Sequence, residues 1–416
     1  MLMQRICEPD REQDMVTRQL LAQDRIPQGK VASAASGLDT LTLEFVTDAT
    51  MIEADWRALE QYDCNSLHQG FDWCQAFARA NGRPLRALKG SRDGRTMMIL
   101  PLVIVRARGI RLARFPGGGF NNINTGLFAP DIGGTDAAAS AMFKRHLRQA
   151  LSGHADLLHL DKVPLAWRGA RSPLGGLQHI ESQNHAFQLT LRDGFDETLS
   201  QLNAKSRKRK HRIQTRRLAE IGGFEHVIAK TPAEGHALLD LFFRQKGQRL
   251  EAFGLPDVFA PDSVRDFLHR LVDVPAQGTD QPLLLHAIRL NGEHAGHVPA
   301  IASLSRKGDH VICQFSSIDD TVCPEASPGE LLFWLMIEEA CRTKAAIFDF
   351  GIGDQAYKRS WCTQETVQYD FVLPISALGR VMVPATLAVT KAKAAIKRHP
   401  AVYKTVQKWR SRRQAK

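Results

Sequence analysis

The amino-acid sequence predicts an α/β (α+β) protein built as two tandem lobes, each with a mixed, mainly antiparallel sheet flanked by helices. The chain has 416 residues, and a chain of this length divides naturally into two domains of about 150 to 190 residues. A similar order of strand and helix patterns occurs twice along it. Two dipeptides that favour hairpin turns, Asp93-Gly94 and Asn291-Gly292, also separate pairs of apolar runs.

The first lobe is predicted to begin near Leu41. Its elements are a strand at 41–47, helices at 51–62 and 71–81, strands at 84–89 and 97–105, a Gly/Asn-rich loop at 116–126, a helix at 137–151 and strands at 156–161 and 186–191. The run Gly117-Gly118-Gly119 in that loop either makes a turn or lines a cleft between the lobes.

The second lobe follows the same order of elements. The pattern predicts a helix at 196–220 ended by Gly222-Gly223, a strand at 224–229, helices from Pro232 to about 250 and from Pro261 to about 273, strands at 283–290, 294–304 and 310–318, a helix at 328–343 and a strand at 345–350. The predicted division is therefore a mobile leader at 1–38, a first lobe at 39–192, a second lobe at 193–376 and a basic C-terminal tail at 377–416.

The positive charge of the chain is concentrated at its end. The net charge is +11, and residues 371–416 contain eleven Lys or Arg and no Asp or Glu, so the rest of the chain is neutral. A general affinity for nucleic acid is therefore not expected. The tail is either a basic amphipathic helix that rests on an anionic membrane or a disordered solubilising segment.

Composition also bears on location and metal content. No apolar run reaches the ~18 residues of a membrane-spanning helix, and the N-terminus mixes acids and bases. The predicted location is cytoplasmic, with a peripheral position at the inner membrane surface if the tail binds lipid. The seven cysteines form no C-x-x-C pair, so we expect neither a disulfide framework nor a metal.

The segment 327–361 carries the strongest functional signal. Ser327 is a good helix N-cap, Pro328 suits the first helical position, and Glu330 has capping-box spacing. The helix that follows is apolar almost all round and must be buried. Its free N–H groups would form an anion site that Gly329 lets a ligand approach closely. The alternative is a well-capped structural helix, whose Glu330 would repel a phosphate.

The order of elements and this segment resemble the GNAT-related acetyltransferase family that includes CelD-type proteins associated with bacterial cellulose biosynthesis. The matching motifs are Ser327-Pro328-Gly329, Phe348-Asp349-Phe350-Gly351, Tyr357-Lys358-Arg359-Ser360-Trp361, a basic helix with Lys205, Arg207, Arg209, Arg212, Arg216 and Arg217, and, in the first lobe, Trp56, Phe71, Trp73 and Leu100-Pro101-Leu102. The two-lobed order is also similar to that of the Fem-type aminoacyltransferases, which have an aromatic-Lys pair at the acyl-transfer centre.

These resemblances imply an acyltransferase that uses acetyl-CoA as co-substrate and a sugar, polysaccharide precursor or other small molecule as acceptor. They imply catalytic roles for Lys358 and Tyr357. Implied donor-binding residues are Ser327, Pro328, Gly329, Ser316 and Ser317, and implied acceptor-binding residues are Asp349, Gly351, Asp354, Trp361, Arg209 and Arg212. A lysine at such a centre can stabilise negative charge on the carbonyl oxygen or accept a proton. Alternatively, Lys358 is a surface residue or an ion-pair partner of Asp349 or Asp354.

The sequence departs from the GNAT pattern at one point: the second lobe lacks the R/Q-x-x-G-x-G/A loop that binds acetyl-CoA in such enzymes. Two alternatives therefore stay open. The chain could be a Fem-type, aminoacyl-tRNA-dependent transferase, the one case in which a nucleic acid is expected as partner. It could also be a non-catalytic binding subunit of a polysaccharide assembly. The eight Lys and Arg of 205–217 either grip a phosphate-bearing ligand or form a solvated helix face.

Overall fold

The computed structural model describes residues 37–133 and 136–398. The predicted leader at 1–38 lies almost wholly outside these residues, as does the tail beyond residue 398. All described residues belong to one compact unit that begins at Gly37. Within these ranges, no helix is both long enough and apolar enough to cross a membrane.

Helices make up much of the described chain. They are α1 (Glu53–Glu60), α2 (Phe71–Ala80), α3 (Ala137–Leu151), α4 (Phe195–Ser200), α5 (Ala204–Glu220), α6 (Pro232–Ala252), α7 (Asp262–Asp273), α8 (Pro328–Arg342), α9 (Ala356–Trp361) and α10 (Ala377–Arg398). The helix predicted at 196–220 is thus two helices. The break occurs because the side chain of Asn203 caps α5 by accepting from Ser206 N.

The strands form two large sheets and one small hairpin. They are β1 (Thr42–Val46), β2 (Arg86–Arg92), β3 (Arg95–Ala107), β4 (Ile110–Arg114), β5 (Leu127–Phe128), β6 (Leu157–Val163), β7 (Ala166–Trp167), β8 (Ala170–Arg171), β9 (Gln178–Glu181), β10 (Ala186–Thr190), β11 (Phe224–Ile228), β12 (Gln281–Leu290), β13 (Ala300–Lys307), β14 (His310–Ile318), β15 (Ile347–Ile352), β16 (Gln364–Thr366) and β17 (Tyr369–Pro374). The first sheet has the order β1-β2-β3-β4-β6-β17-β9, with β5 on β3, and the second has the order β11-β12-β13-β14-β15-β10-β16.

The two halves of the chain exchange strands. β17 comes from the end of the chain but pairs with β6 in the first sheet. β10 lies before the predicted boundary at residue 192 but pairs with β15 in the second sheet. In each sheet the exchanged strand pairs with the second strand of the parallel pair, which is β6 in the first sheet and β15 in the second. We refer below to the first and second halves by their sheets, and the domain division itself stays a prediction.

Each sheet is covered by helices on its apolar faces. In the first half, Trp56 of α1, Phe71 of α2 and Phe143 of α3 pack into one core with the strands. In the second half, α8 covers one face, and α6 and α7 cover the other. The halves meet where α2 packs on α7, with Trp73 and Phe77 each edge-on to Phe267 at ring-centroid distances of 5.2 and 5.5 Å.

Of the two hairpin turns predicted from dipeptides, the structure contains the first but not the second. Asp93 and Gly94 have φ angles of 50° and 77° and join β2 to β3, as predicted. The two-residue turn predicted at Asn291-Gly292 is wrong: β12 and β13 pair antiparallel, but residues 291–299 separate them, so the strand predicted from 294 begins at Ala300. A Cβ on Gly292 would lie 2.7 Å from the Cα of Gly222. This dipeptide therefore packs against the end of α5 instead of closing a tight turn.

Candidate functional site

The two parallel strands at the centre of the second sheet separate soon after they pair. β14 and β15 share only three registered pairs, His310 with Ile347, Val311 with Phe348 and Ile312 with Asp349. Beyond these pairs, both strands continue, β14 to Ile318 and β15 to Ile352. The space between their carboxyl ends is called the strand cleft below. The carboxyl ends of parallel strands are common ligand sites in α/β sheets.

A β-bulge lies beside the strand cleft. Ser303 pairs with Phe315 and Leu304 with Cys313, so Gln314 is the extra residue of β14. Bulges often occur next to active sites, where they redirect a side chain. The Gln314 amide points toward the first half, where its Nε2 donates to His68 Nε2 (3.2 Å) and its Oε1 accepts from Asn122 Nδ2 (3.2 Å).

The corresponding space in the first half is filled. There β4 and β6 share only two parallel pairs, and the Gly/Asn-rich loop occupies the space beyond them. Asn124 donates to Asp161 O (2.8 Å), while Lys162 Nζ donates to Gly118 O (2.9 Å) and Asn121 O (2.8 Å). Gly117 is left-handed (φ 100°), and a Cβ there would overlap the Asn121 side chain. The loop thus turns at Gly117, one of the two alternatives that the sequence left open, and it fills this space.

The start of α8 lies at the mouth of the strand cleft. Ser327 is at the N-cap position but is left-handed (φ 49°) and makes no side-chain cap. The predicted capping box is therefore wrong: an N-cap residue normally has extended backbone, and here the Glu330 side chain instead bonds to Lys210 of α5. The same ion pair neutralises the carboxylate that would repel a phosphate. Gly329 is needed for close packing, because its Cβ would lie 2.6 Å from Ile318 Cγ2.

The other two predicted donor-binding residues lie at the end of β14. Ser317 is buried, and its hydroxyl donates to Gln245 Oε1 (2.7 Å). The carbonyl of Ser316 accepts from Lys246 Nζ of α6 (2.9 Å), and burial lowers the pKa of Lys246. The five predicted donor-binding residues therefore lie together, around the end of β14 and the start of α8.

Lys358 is buried at the end of β15, with 5% of its surface exposed. Its Nζ donates to the carbonyls of Gly351 (3.2 Å) and Ile352 (2.7 Å). Burial lowers the pKa of Lys358, because the charged form loses its hydration. Asp354 pairs instead with Arg359. Lys358 is thus a buried amine held by two carbonyls beside the strand cleft.

Tyr357 and Trp361 of α9 line the same region. The Tyr357 ring stacks on Phe333 of α8, with centroids 5.3 Å apart and planes 10° apart, and burial raises the pKa of its hydroxyl. The Arg207 guanidinium lies 3.5 Å from the centroid of Trp361 and also bonds to Ser360 O. The Trp361 indole N–H is buried and has no hydrogen-bond partner among the residues that the structure describes.

The predicted acceptor-binding residues fall in two places. Asp349 is buried and accepts from Gly351 N (2.6 Å), Gln188 Nε2 (3.2 Å) and His310 Nε2 (3.3 Å), so both carboxylate oxygens bond within the protein. Arg209 and Arg212 are exposed on α5. They point away from the α5 face whose Arg207 and Lys210 contact α8 and α9, as the helical spacing requires.

Sequence reasoning missed Gln314, Asn122 and His68. The Asn-rich loop was a usable signal, because three asparagines beside glycines need many hydrogen-bond partners. A bulge at Gln314 has no comparable sequence signal. No three His, Cys, Asp or Glu side chains in 37–133 and 136–398 form a group that could hold a metal.

Comparison with known proteins agrees with this geometry. Residues 205–359 match the family described as "Acetyltransferase (GNAT) domain". The crystal structure of FemX superposes with a TM-score of 0.56 at 14% identity, over 80% of this chain and 98% of that chain. A tandem GNAT protein from the clavulanic acid biosynthesis pathway has a TM-score of 0.42 at 12% identity, over 80% and 99% of the two chains. No curated protein matches the chain.

A further solved structure is the C-terminal domain of a putative lysylphosphatidylglycerol synthetase from Agrobacterium fabrum, with a TM-score of 0.49 at 10% identity over 82% of this chain and 97% of that chain. The FemX likeness confirms the predicted fold class, and the family match shows a GNAT acetyltransferase domain at residues 205–359. The chain is thus an acyltransferase by fold and domain. The CelD-type resemblance stays a prediction.

Proposed function

We propose that the protein transfers an acyl group, in the first place acetyl from acetyl-CoA, to an amine or hydroxyl of a small acceptor such as a saccharide precursor. The observation that carries this proposal is the strand cleft, which has the start of α8 at its mouth and the buried Lys358 beside it. An extended thioester donor fits such a cleft, because the β14 edge beyond Ile312 is not paired to β15 and can bond an amide-containing chain.

The surroundings of the α8 start support a phosphate-bearing donor. Free N–H groups at a helix start attract anions. Arg207 and Lys210 add positive charge on the α5 face that contacts α8, and Lys210 neutralises Glu330. These features replace the glycine-rich coenzyme loop that the sequence lacks. The donor diphosphate would therefore lie between the start of α8 and the inner face of α5.

Lys358 is suited to the chemical step. When the acceptor nitrogen or oxygen attacks the thioester carbon, negative charge develops on the carbonyl oxygen. Collapse breaks the C–S bond and expels the thiolate of the donor, which becomes the free thiol with the proton that the acceptor loses. Two N–H bonds of the Lys358 ammonium are directed at the Gly351 and Ile352 carbonyls, which leaves one to donate to that oxygen. A preorganised buried donor stabilises this charge more strongly than water does.

The test is binding and turnover with defined donors. Isothermal calorimetry should give a micromolar dissociation constant for acetyl-CoA, and release of the free thiol should depend on an added amine or amino-sugar acceptor. Gly329→Glu is unsuitable as the loss-of-site variant, since any Cβ there meets Ile318; Arg207→Gln is preferable. If acetyl-CoA does not bind but aminoacyl-tRNA does, the Fem-type alternative replaces this proposal. If neither ligand binds, the non-catalytic alternative replaces this proposal.

A further inference from the structure

The first half contributes a side chain to the strand cleft of the second half. Asn121 and Asn122 are neighbours in the Gly/Asn-rich loop, and their side chains bond to different halves of the molecule. Asn121 bonds within the first half, where its Oδ1 accepts from Trp73 Nε1 (2.9 Å). Asn122 points the other way, and 7% of its surface is exposed.

Asn122 bridges the two separating strands. Its Nδ2 donates to Gln314 Oε1 of β14 (3.2 Å), and its Oδ1 accepts from Ile352 N of β15 (3.4 Å). Its own carbonyl accepts from Gln368 Nε2 (2.6 Å). Ile352 is also the residue whose carbonyl holds Lys358, so one side chain joins the bulge of β14 to the residue that anchors the buried lysine.

The hydrogen bonds around Asn122 continue into the first half. His68 Nδ1 lies 3.1 Å from both the Ile123 carbonyl and Ser66 Oγ, and Gln314 Nε2 lies 3.2 Å from His68 Nε2. When Nδ1 donates to the Ile123 carbonyl, the Nε2 of neutral His68 accepts from Gln314 Nε2, and Gln314 Oε1 accepts from Asn122 Nδ2. The bridge is thus connected to the first half through His68.

The bridge leaves no space beside β15. A single Cβ on Gly351 would lie 2.6 Å from Asn122 Oδ1, 2.8 Å from its Cγ and 2.9 Å from its Nδ2. The Asn122 side chain therefore packs directly on the β15 backbone at Gly351 and lies between β14 and β15.

We infer that Asn122 closes the strand cleft on the side of the first half and thereby restricts the donor to a short acyl group, of acetyl or propionyl size. The inference rests on the donor site proposed above. Asn122 acts here as a specificity-determining residue, since it limits the length of the acyl group and takes no part in bond making.

The experiment compares the dissociation constants of acetyl-CoA and octanoyl-CoA by calorimetry. The proteins are wild type, Asn122→Ala, Asn122→Leu and the control Asn81→Ala, whose native side chain bonds only to Phe77 O at the end of α2 among the described contacts. We expect wild type to prefer acetyl-CoA by about tenfold or more. The preference for acetyl-CoA should fall about tenfold in Asn122→Ala, which removes the obstructing side chain. It should persist in Asn122→Leu, because leucine fills a volume similar to that of asparagine.

A ratio of two affinities is not changed by a general loss of stability. If Asn122→Ala does not unfold cooperatively, Asn122→Ser supplies the same comparison with a hydroxyl in place of the amide. The inference is overturned if the ratio of the two dissociation constants is unchanged in Asn122→Ala, or in Asn122→Ser where that variant replaces it. It is also overturned if wild type binds both donors equally. Either result leaves the donor site intact. A wild-type protein that binds neither donor overturns the donor site, and the inference with it.

Discussion

Lys358 combines burial with two carbonyl partners, and this combination makes its substitution informative. We expect Lys358→Ala to lower kcat about 10²- to 10³-fold, as loss of one preorganised donor to a developing oxyanion does. Donor affinity should change little, because the two native bonds of Lys358 are to the protein's own carbonyls. Thiol release under saturating acetyl-CoA gives kcat, and calorimetry gives the affinity.

The matched control is Lys230→Ala, an exposed lysine after β11. It should retain wild-type kcat. Wild-type turnover by Lys358→Ala would contradict the catalytic role and leave Lys358 a purely structural residue.

Gly351 is a second residue whose substitution should be destabilising, because the structure leaves no room for a side chain there. Its φ of 71° is unfavourable for side-chain-bearing residues, and a Cβ would meet Asn122. We expect Gly351→Ala to lower the free energy of unfolding by about 2 to 4 kcal/mol, the sum of backbone strain and overpacking. Urea unfolding measures this value. Gly119→Ala, where no atom of the described part of the chain lies within 4 Å of the added Cβ, should stay within about 0.5 kcal/mol of wild type.

His68 predicts a pH dependence of stability. Burial lowers its pKa from 6.5 to about 4, so the unfolded chain binds the proton more tightly than the folded one. The resulting stability is fully present above pH 6.5 and is lost as the pH falls toward 4. As the pH falls from 6.5 to 4, the free energy of unfolding of wild type should therefore fall by about 3 kcal/mol more than that of His68→Gln, which lacks the imidazole. Parallel curves for the two proteins would contradict the prediction.

At the scale of elements, α5 has two basic faces with different surroundings. The inner face places Arg207 over Trp361 and Lys210 on Glu330, both near the start of α8. The outer face carries the exposed Arg209 and Arg212. The sequence showed eight Lys and Arg within residues 205–217, but only the packing of α5 on α8 separates those beside the strand cleft from those in solvent.

This difference gives a paired test on one helix. Arg207→Gln should weaken acetyl-CoA binding by about tenfold, the usual effect of losing a charge-assisted contact to phosphate. Arg212→Gln should leave it within about twofold, because exposed charges contribute little. Calorimetry at constant salt measures both. The reverse order would place the ligand on the outer face and favour an extended polyanion such as tRNA.

At the scale of the whole molecule, the sequence predicted most elements but not their assembly. The two-residue turn at Asp93-Gly94 and the buried helix after Pro328 follow from local chemistry. The exchange of β10 and β17 does not, because a short apolar strand carries no signal for which sheet it joins. The strand cleft could not be predicted from the sequence either, because it depends on a bulge and on a parallel pair that ends after three residues.

The exchange of strands leads to a prediction about the halves in isolation. A fragment of residues 193–376 would lack β10, which lies between β15 and β16, and would carry β17 without its partners β6 and β9. It would expose a strand edge beside the strand cleft, and such edges promote aggregation. We expect this fragment to be poorly soluble and to unfold without a cooperative thermal transition, whereas the intact chain unfolds cooperatively. Differential scanning calorimetry makes the comparison. A soluble fragment that unfolds cooperatively and binds acetyl-CoA would show that the second half is an independent domain, with the strand exchange adding only to the junction.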